Sequence, residues 1–313
     1  MIKIFVTWYA EPEDPRYWEW FPVEGLVVSL KSILSMPRWK LARVLSEGFK
    51  RYFGFTGVLI VDSFTTWLHS RAGFSLDVPQ YHVLYLQYLL GSDVLVQKDY
   101  PYVTAMDKRT RERLFKKNIV NAEAALKIGE KLGRNVMLVV QGWDLDSYRR
   151  CAQIYRDLGA KYMGIGSLVP RSADVKFIET VTKEVRAEVG KSTWLHLFGV
   201  ANIDVLTHVV SQVNSADVST PTLAATRKEM LVWNGKRFTR LKTTSLMGAS
   251  FIKQIAQETT DDFEKEILDR ILGVKALGIK NRLLMIYNTY TFLKYITYLT
   301  EHALGGPHGI RSS

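Results

Sequence analysis

Gly57 to Ser63, GVLIVDS, is the stretch that decides the fold. Four consecutive branched apolar residues run straight into Asp62 and Ser63. A run that is apolar on both faces reads as a strand buried in a parallel sheet, with the acid just past its carboxyl end. Barrels of alternating strands and helices keep their catalytic groups at that end. The ordinary alternative is an Asp that caps the following helix. Repetition weighs against it, because further strand-like runs also end in polar residues or glycine, and the polar residue is again an acid at Asp99 and Asp217.

Outward from this stretch, eight segments read as strands: Ile2 to Trp8, Gly25 to Ser29, Val58 to Asp62, Asp93 to Gln97, Val136 to Gln141, Tyr162 to Gly166, Trp194 to Phe198 and Ala216 to Val218. Most are separated by stretches with apolar spacing of three and four, such as Glu112 to Leu132, Tyr148 to Leu158 and Val175 to Val189, which predicts helices. Eight such alternations are the layout of an α/β protein of the (β/α)8 or TIM-barrel kind, with an open doubly wound sheet as the rival. Residues 1–227 are expected to form the barrel. Residues 228–313 are expected to add a C-terminal appendage, with a hairpin about Asn234-Gly235 and helices over Asp261 to Leu277 and Arg282 to Leu304.

The composition narrows the class. With 313 residues and 47% hydrophobic content the chain can bury a sizeable core. Its apolar runs are short and interrupted, and no signal-peptide layout opens it, so a cytoplasmic protein is expected. The single cysteine, Cys151, excludes an internal disulfide and any zinc site built on several thiolates, and reads as a buried structural thiol. A net charge of +11 favours a polyanionic partner. Basic residues gather at Lys108, Arg109, Arg111, Arg113, Lys116 and Lys117, and again from Arg227 to Lys242.

The strand ends supply a set of groups that one barrel mouth would bring together: Asp62-Ser63, Asp99, Gln141-Gly142, Gly166-Ser167 and Asp217. Two carboxylates on either side of a sugar allow one to act as nucleophile and the other to carry protons, which is the logic of retaining glycosyl chemistry. An amide such as Gln141 and backbone N–H groups at Gly166 and Ser167 suit the edge of a planar heterocycle. The set reads as a pocket for a base and a ribose, and at strand ends beside solvent the acids are expected to contribute little packing.

Six motifs carry a resemblance in register: VDS at 61–63, SDVLVQKDYP at 92–101, VVQG at 139–142, YMGIGSL at 162–168, HLFGV at 196–200 and ADVSTPTLAATR at 216–227. Together with GKRFT at 235–239 and NRLLMIYNTYTFLKYITYL at 281–299, the series resembles the tRNA-guanine transglycosylase (queuine/archaeosine tRNA-ribosyltransferase) superfamily over about three quarters of the chain. The resemblance implies exchange of a guanine in a polynucleotide for a 7-deazaguanine base without strand cleavage. It implies no cofactor. By position, Asp217 resembles the nucleophile that attacks the ribose C1′, and Asp62 the general acid/base. Asp99 would hold the N1 and 2-amino edge of the base, beside Ser63, while Gln141 and the Gly166-Ser167 backbone would hold its O6 side.

Some features depart from the family pattern. The glycine expected two residues after the acid is replaced in the run Asp62-Ser63-Phe64-Thr65-Thr66, and the three-cysteine, one-histidine zinc site is absent. At this length the additional C-terminal RNA-binding domains of archaeal members are not expected. The length is similar, with HLFG, to the DNA-modifying branch that inserts 7-deazaguanines, so tRNA and DNA both stand as the polymer. His196 either lines the pocket or is a hydrogen-bonded core histidine. Trp8, Tyr100 and Tyr102 either stack on an extruded base or pack in the core. The row Tyr287, Tyr290, Tyr295 and Tyr298 is core or the face of a homodimer. Two other functions remain open, a noncatalytic relative that binds nucleic acid or a partner subunit, and a small-molecule barrel enzyme.

Overall fold

The computed structural model describes residues 2–63, 78–102, 105–199, 203–234, 238–244 and 246–305. It divides into two compact units, one of Ile2–Ala10 with Glu24–Val218 and one of Glu11–Val23 with Ser219–Ser313.

In the first unit β1 (Lys3–Trp8), β2 (Gly25–Ser29), β3 (Val58–Asp62), β4 (Val94–Val96), β5 (Asn135–Val140), β6 (Tyr162–Ile165), β7 (Trp194–Leu197) and β8 (Ser215–Val218) form a closed barrel in sequence order. Every neighbouring pair is parallel, and β8 closes on β1 with Phe5 in register with Asp217. The (β/α)8 barrel read from the alternation is therefore the fold. Its interior is filled by Phe5, Val27, Ile60, Val96, Met137 and Val139. Because side chains alternate along a strand, residues two apart from these share the inward face, which assigns Thr7, Asp62 and Gln141 to the interior rows, and Asp217 joins them through its register with Phe5.

Around the strands run α1 (Leu30–Leu34), α2 (Arg38–Glu47), α3 (Phe49–Phe53), α4 (Gln80–Leu89), α5 (Lys108–Leu132), α6 (Leu145–Asp157), α7 (Val175–Val189) and α8 (Ile203–Val209). Asp107, Asp144 and Asp174 start α5, α6 and α7 by accepting from the backbone N–H of Thr110, Ser147 and Phe177. The short strand β4 has side-chain support where its backbone would go unpaired. Val96 N donates to Gln87 Oε1 and Gln87 Nε2 donates to Val96 O, at 2.7 and 3.0 Å. Cys151 lies fully buried in α6, where burial pushes its thiol up to about 12, in keeping with an inert structural role.

In the second unit α9 (Thr220–Thr226) precedes an antiparallel pair, β9 (Glu229–Trp233) and β10 (Phe238–Lys242), followed by α10 (Leu246–Glu258), α11 (Asp262–Gly273) and α12 (Leu277–Gly305). The pairing is that of the expected hairpin, although its Gly235 lies outside the described residues. Asn288 on α12 accepts from Leu231 N and donates to the carbonyls of Pro221 and Glu229, so one buried amide joins α9, β9 and α12. The tyrosine row is core for most of its length. Tyr287 and Tyr295 are buried and Tyr290 packs on Phe21 and Phe263, whereas Tyr298 is 41% exposed.

Candidate active site

The carboxyl ends of the strands bring the sequence-selected residues into two hydrogen-bonded groups. The first centres on Asp99, three residues past β4 and 8% exposed. Ser63 Oγ donates to Asp99 Oδ1 at 2.9 Å, and Gln141 Nε2 donates to Asp99 Oδ2. Ser167 Oγ donates in turn to Gln141 Oε1 and accepts from Tyr102 N at 2.8 Å. Tyr148 OH holds the carbonyl of Gly166 at 2.8 Å. Ser63, Asp99, Gln141, Gly166 and Ser167 thus form one connected patch drawn from β3 to β6.

Gly166 is required by proximity. A Cβ there would lie 2.5 Å from Gln141 Nε2, and Gln141 cannot swing aside without giving up its bonds to Asp99 and Ser167. Gly166→Ala is expected to cost about 1–3 kcal/mol, read as a shift in the urea midpoint, through the overpacking it forces. Ser167 adopts φ +57°, the left-handed region that a residue with a Cβ rarely enters, so the turn after β6 is held by its contacts.

Burial holds the Asp99 carboxyl above its ordinary range, opposed in part by the bonds from Ser63 and Gln141. A folded-state pKa above the unfolded one means stability that is present in full at low pH and lost as pH rises through the folded value. Asp99→Asn should therefore gain on the parent protein as pH rises from the usual carboxylate range, with denaturant midpoints measured across pH as the check. A gap independent of pH would contradict the assignment.

The second group surrounds Asp217, on the inward row of β8 and 5% exposed. Asp217 Oδ1 accepts from Gly199 N at 2.8 Å and meets His196 Nε2 at 3.3 Å, while Oδ2 accepts from Thr7 Oγ1 at 3.0 Å. His196 is fully buried and its Nδ1 lies 2.9 Å from Ser215 Oγ, which also accepts from Trp194 Nε1 at 2.9 Å. The Asp217 carboxylate can only accept, so Nε2 carries the proton that faces it; with Nδ1 the acceptor, the Ser215 hydroxyl donates to Nδ1 while its oxygen accepts from Trp194 Nε1. Three donors hold this carboxylate, two on Oδ1 and one on Oδ2, leaving Oδ2 the less engaged oxygen. The expectation that an acid here contributes little packing is corrected for Asp217, which is buried and hydrogen-bonded from β1, from β7 and from the turn that follows β7.

Asp62 ends β3, on the inward row that begins with Val58 and Ile60, and is half-buried above the core cluster. Residues 64–66, whose sequence departs from the family pattern, lie outside the described residues. His196 proves to be both a core histidine and a partner of Asp217. Trp8, Tyr100 and Tyr102 are all buried, Trp8 edge-on to Phe49 and Phe53 and Tyr102 to Trp143, so the core reading of this aromatic set holds. Thr7, Ser215, Gly199 and Tyr148 were not selected from the sequence. Thr7 and Ser215 carried a signal, a hydroxyl two residues from an inward Phe5 or Asp217 on an otherwise apolar strand. Among the described residues no cluster of His, Cys, Asp and Glu could hold a metal ion, and no helix is long and apolar enough to cross a membrane.

Fold and site together define a (β/α)8 barrel whose carboxyl end carries three acids, two on inward strand rows and one within a polar network suited to a heterocycle edge. Residues 42–303 match the family described as Queuine tRNA-ribosyltransferase. That match takes in most of the chain, and the protein belongs to this family. Similar proteins include a tRNA-guanine(15) transglycosylase of Korarchaeum cryptofilum, 22% identical over 192 residues, which are 60% of this chain and 32% of that protein. A protein of the same name from Methanopyrus kandleri is 25% identical over 189 residues, 59% of this chain and 40% of its own. The chain spans well under half the length of these curated relatives.

Proposed function

We propose that the protein exchanges guanine in tRNA for another base, a 7-deazaguanine, through a covalent intermediate on Asp217. The observation that carries this reading is the buried Asp217 carboxylate, steadied by Thr7, Gly199 and His196 with Oδ2 the less engaged oxygen. Oδ2 attacks C1′ of the target nucleotide as the bond from C1′ to N9 of guanine breaks, and Asp62 supplies the proton to the departing base. The incoming base gives its N9 proton back to Asp62. Its N9 then displaces Asp217 from C1′, so the strand stays intact and the enzyme returns to its starting state.

The Asp99 network supports the choice of base. Guanine offers adjacent donors at N1 and the 2-amino group, which a carboxylate accepts together, and an O6 acceptor that suits the Gln141 amide or the backbone N–H of Ser167; the Gly166 N–H expected to share this role donates instead to Val140 O at 3.0 Å. A flipped-out nucleotide is what such a barrel-mouth pocket requires, since C1′ is unreachable within a stack. The test is incubation with labelled guanine or a 7-deazaguanine and either tRNA or duplex DNA. Label is expected in tRNA. Incorporation into DNA alone would move the substrate to that polymer, and incorporation into neither would end the exchange reading.

A further inference from the structure

We infer that the face of α5 beside the Asp99 loop is a phosphate track that grips a single polynucleotide strand next to the target nucleotide. The substrate class rests on the proposed exchange reaction, while the track itself stands on its own geometry. A groove of about 860 Å³ is lined by Gln80, Tyr100, Arg109, Arg113, Lys116 and Lys117, among others. The α5 members recur at spacings of three and four, so they share one helix face, and Arg109, Arg113 and Lys117 rise about 6 Å per step along the axis. Among the described residues Arg109, Arg113 and Lys116 form no ion pair. The acid in the wall, Glu112, is engaged by Arg150 at 3.2 Å.

Two further observations point to a ligand. Gln80 is 7% exposed, and its Oε1 accepts from Lys98 N at 3.0 Å, which fixes the amide so that Nε2 is the donor left over. That Nε2 is buried and, among the described residues, has no hydrogen-bond partner, a state that costs about 1–3 kcal/mol unless an acceptor arrives. The groove also adjoins the reaction site, because Lys98 and Tyr100 flank Asp99 in sequence and both line it. The Tyr100 ring has the ammonium groups of Lys98 and Lys117 at 5.0 and 5.2 Å from its centroid, which concentrates positive charge where a strand would leave the mouth. A phosphodiester chain fits these features, since it supplies repeated anionic oxygens along one line.

The test measures binding of labelled single-stranded RNA and DNA oligonucleotides to the full chain across a salt series, alongside uptake of labelled free guanine. The triple variant R109E/R113E/K116E is expected to bind at least about tenfold more weakly at 0.1 M salt, with the slope of log affinity against log salt reduced by about 2, near 0.7 per lost contact. The equally charged control K161E/K176E/K191E, whose three exposed lysines lie off α5, should change both far less. Gln80→Glu keeps an acceptor for Lys98 N and replaces the donor by an anionic oxygen, so it too should weaken strand binding. Guanine uptake should be unchanged in all of these. Equal losses in the groove and control triples, unchanged binding in the groove triple, or no strand bound by the parent at low salt would overturn the track. Strand binding that follows these expectations while guanine uptake is absent would instead count against the base pocket alone.

Discussion

Asp217→Asn is expected to remove base exchange almost completely, a fall of about 10⁴-fold or more, as replacement of a covalent nucleophile does in enzymes of comparable logic. The isosteric amide is the informative choice because Asp217 is buried and held by three donors. With its carbonyl toward Gly199 N and His196 Nε2–H and its NH₂ toward Thr7 Oγ1, an asparagine can satisfy the same neighbours, so folding should survive. Asp217→Ala would strand those donors and confuse loss of chemistry with loss of structure. The measurement pairs a labelled exchange assay with a denaturing gel for a protein–tRNA adduct, and a melting curve reports folding. Exchange at the parent rate by a folded Asp217→Asn would end the assignment of the nucleophile.

Asp62→Asn should lower exchange by about 10² to 10⁴, the usual contribution of a positioned general acid–base group. Its signature differs in kind from that of Asp217. The nucleophile remains, so a slow adduct should still form and persist on the gel, and the pH–rate profile should lose the limb that depends on Asp62. Exchange at the parent rate would remove Asp62 from the proton path, and loss of the adduct together with exchange would assign it a part in the attack itself.

The barrel was legible because its strands are apolar on both faces. Gly25–Ser29 and Val58–Asp62 have the very bounds their sequence suggested, and the others differ by a residue at one end or, for β4 and β5, at both, where a strand's last hydrogen bond rather than its composition sets the limit. Helix α7 was equally plain, with Val175 and Val189 as its ends. Less legible was α10, whose run LMGASFIKQIAQE holds its apolar residues in no unbroken stripe. At the site, each acid could be chosen because it closes an apolar run. The hydroxyls of Thr7 and Ser215 escaped notice because a single Ser or Thr inside a strand is common, and only the pairing of β8 with β1 and with β7 shows that Thr7 holds Asp217 and Ser215 holds its partner His196. The buried Gln87 and Gln97 illustrate the same limit, since each replaces or joins backbone partners that only the folded chain brings near.

The Ser63–Asp99–Gln141–Ser167 chain has a consequence for discrimination. Its members already satisfy one another, so under the proposed function a ring held by Asp99 would trade places with Gln141 on that carboxylate. Such a pocket works as a threshold. A ring that returns two donors to the carboxylate and an acceptor to the displaced amide comes out level before stacking is counted. A ring that returns one fewer would leave a buried oxygen unmatched, at about 1–3 kcal/mol, roughly five- to 150-fold in occupancy. Rejection of adenine-like rings would then come from the bonds they force the protein to abandon, with no steric barrier needed to keep them out.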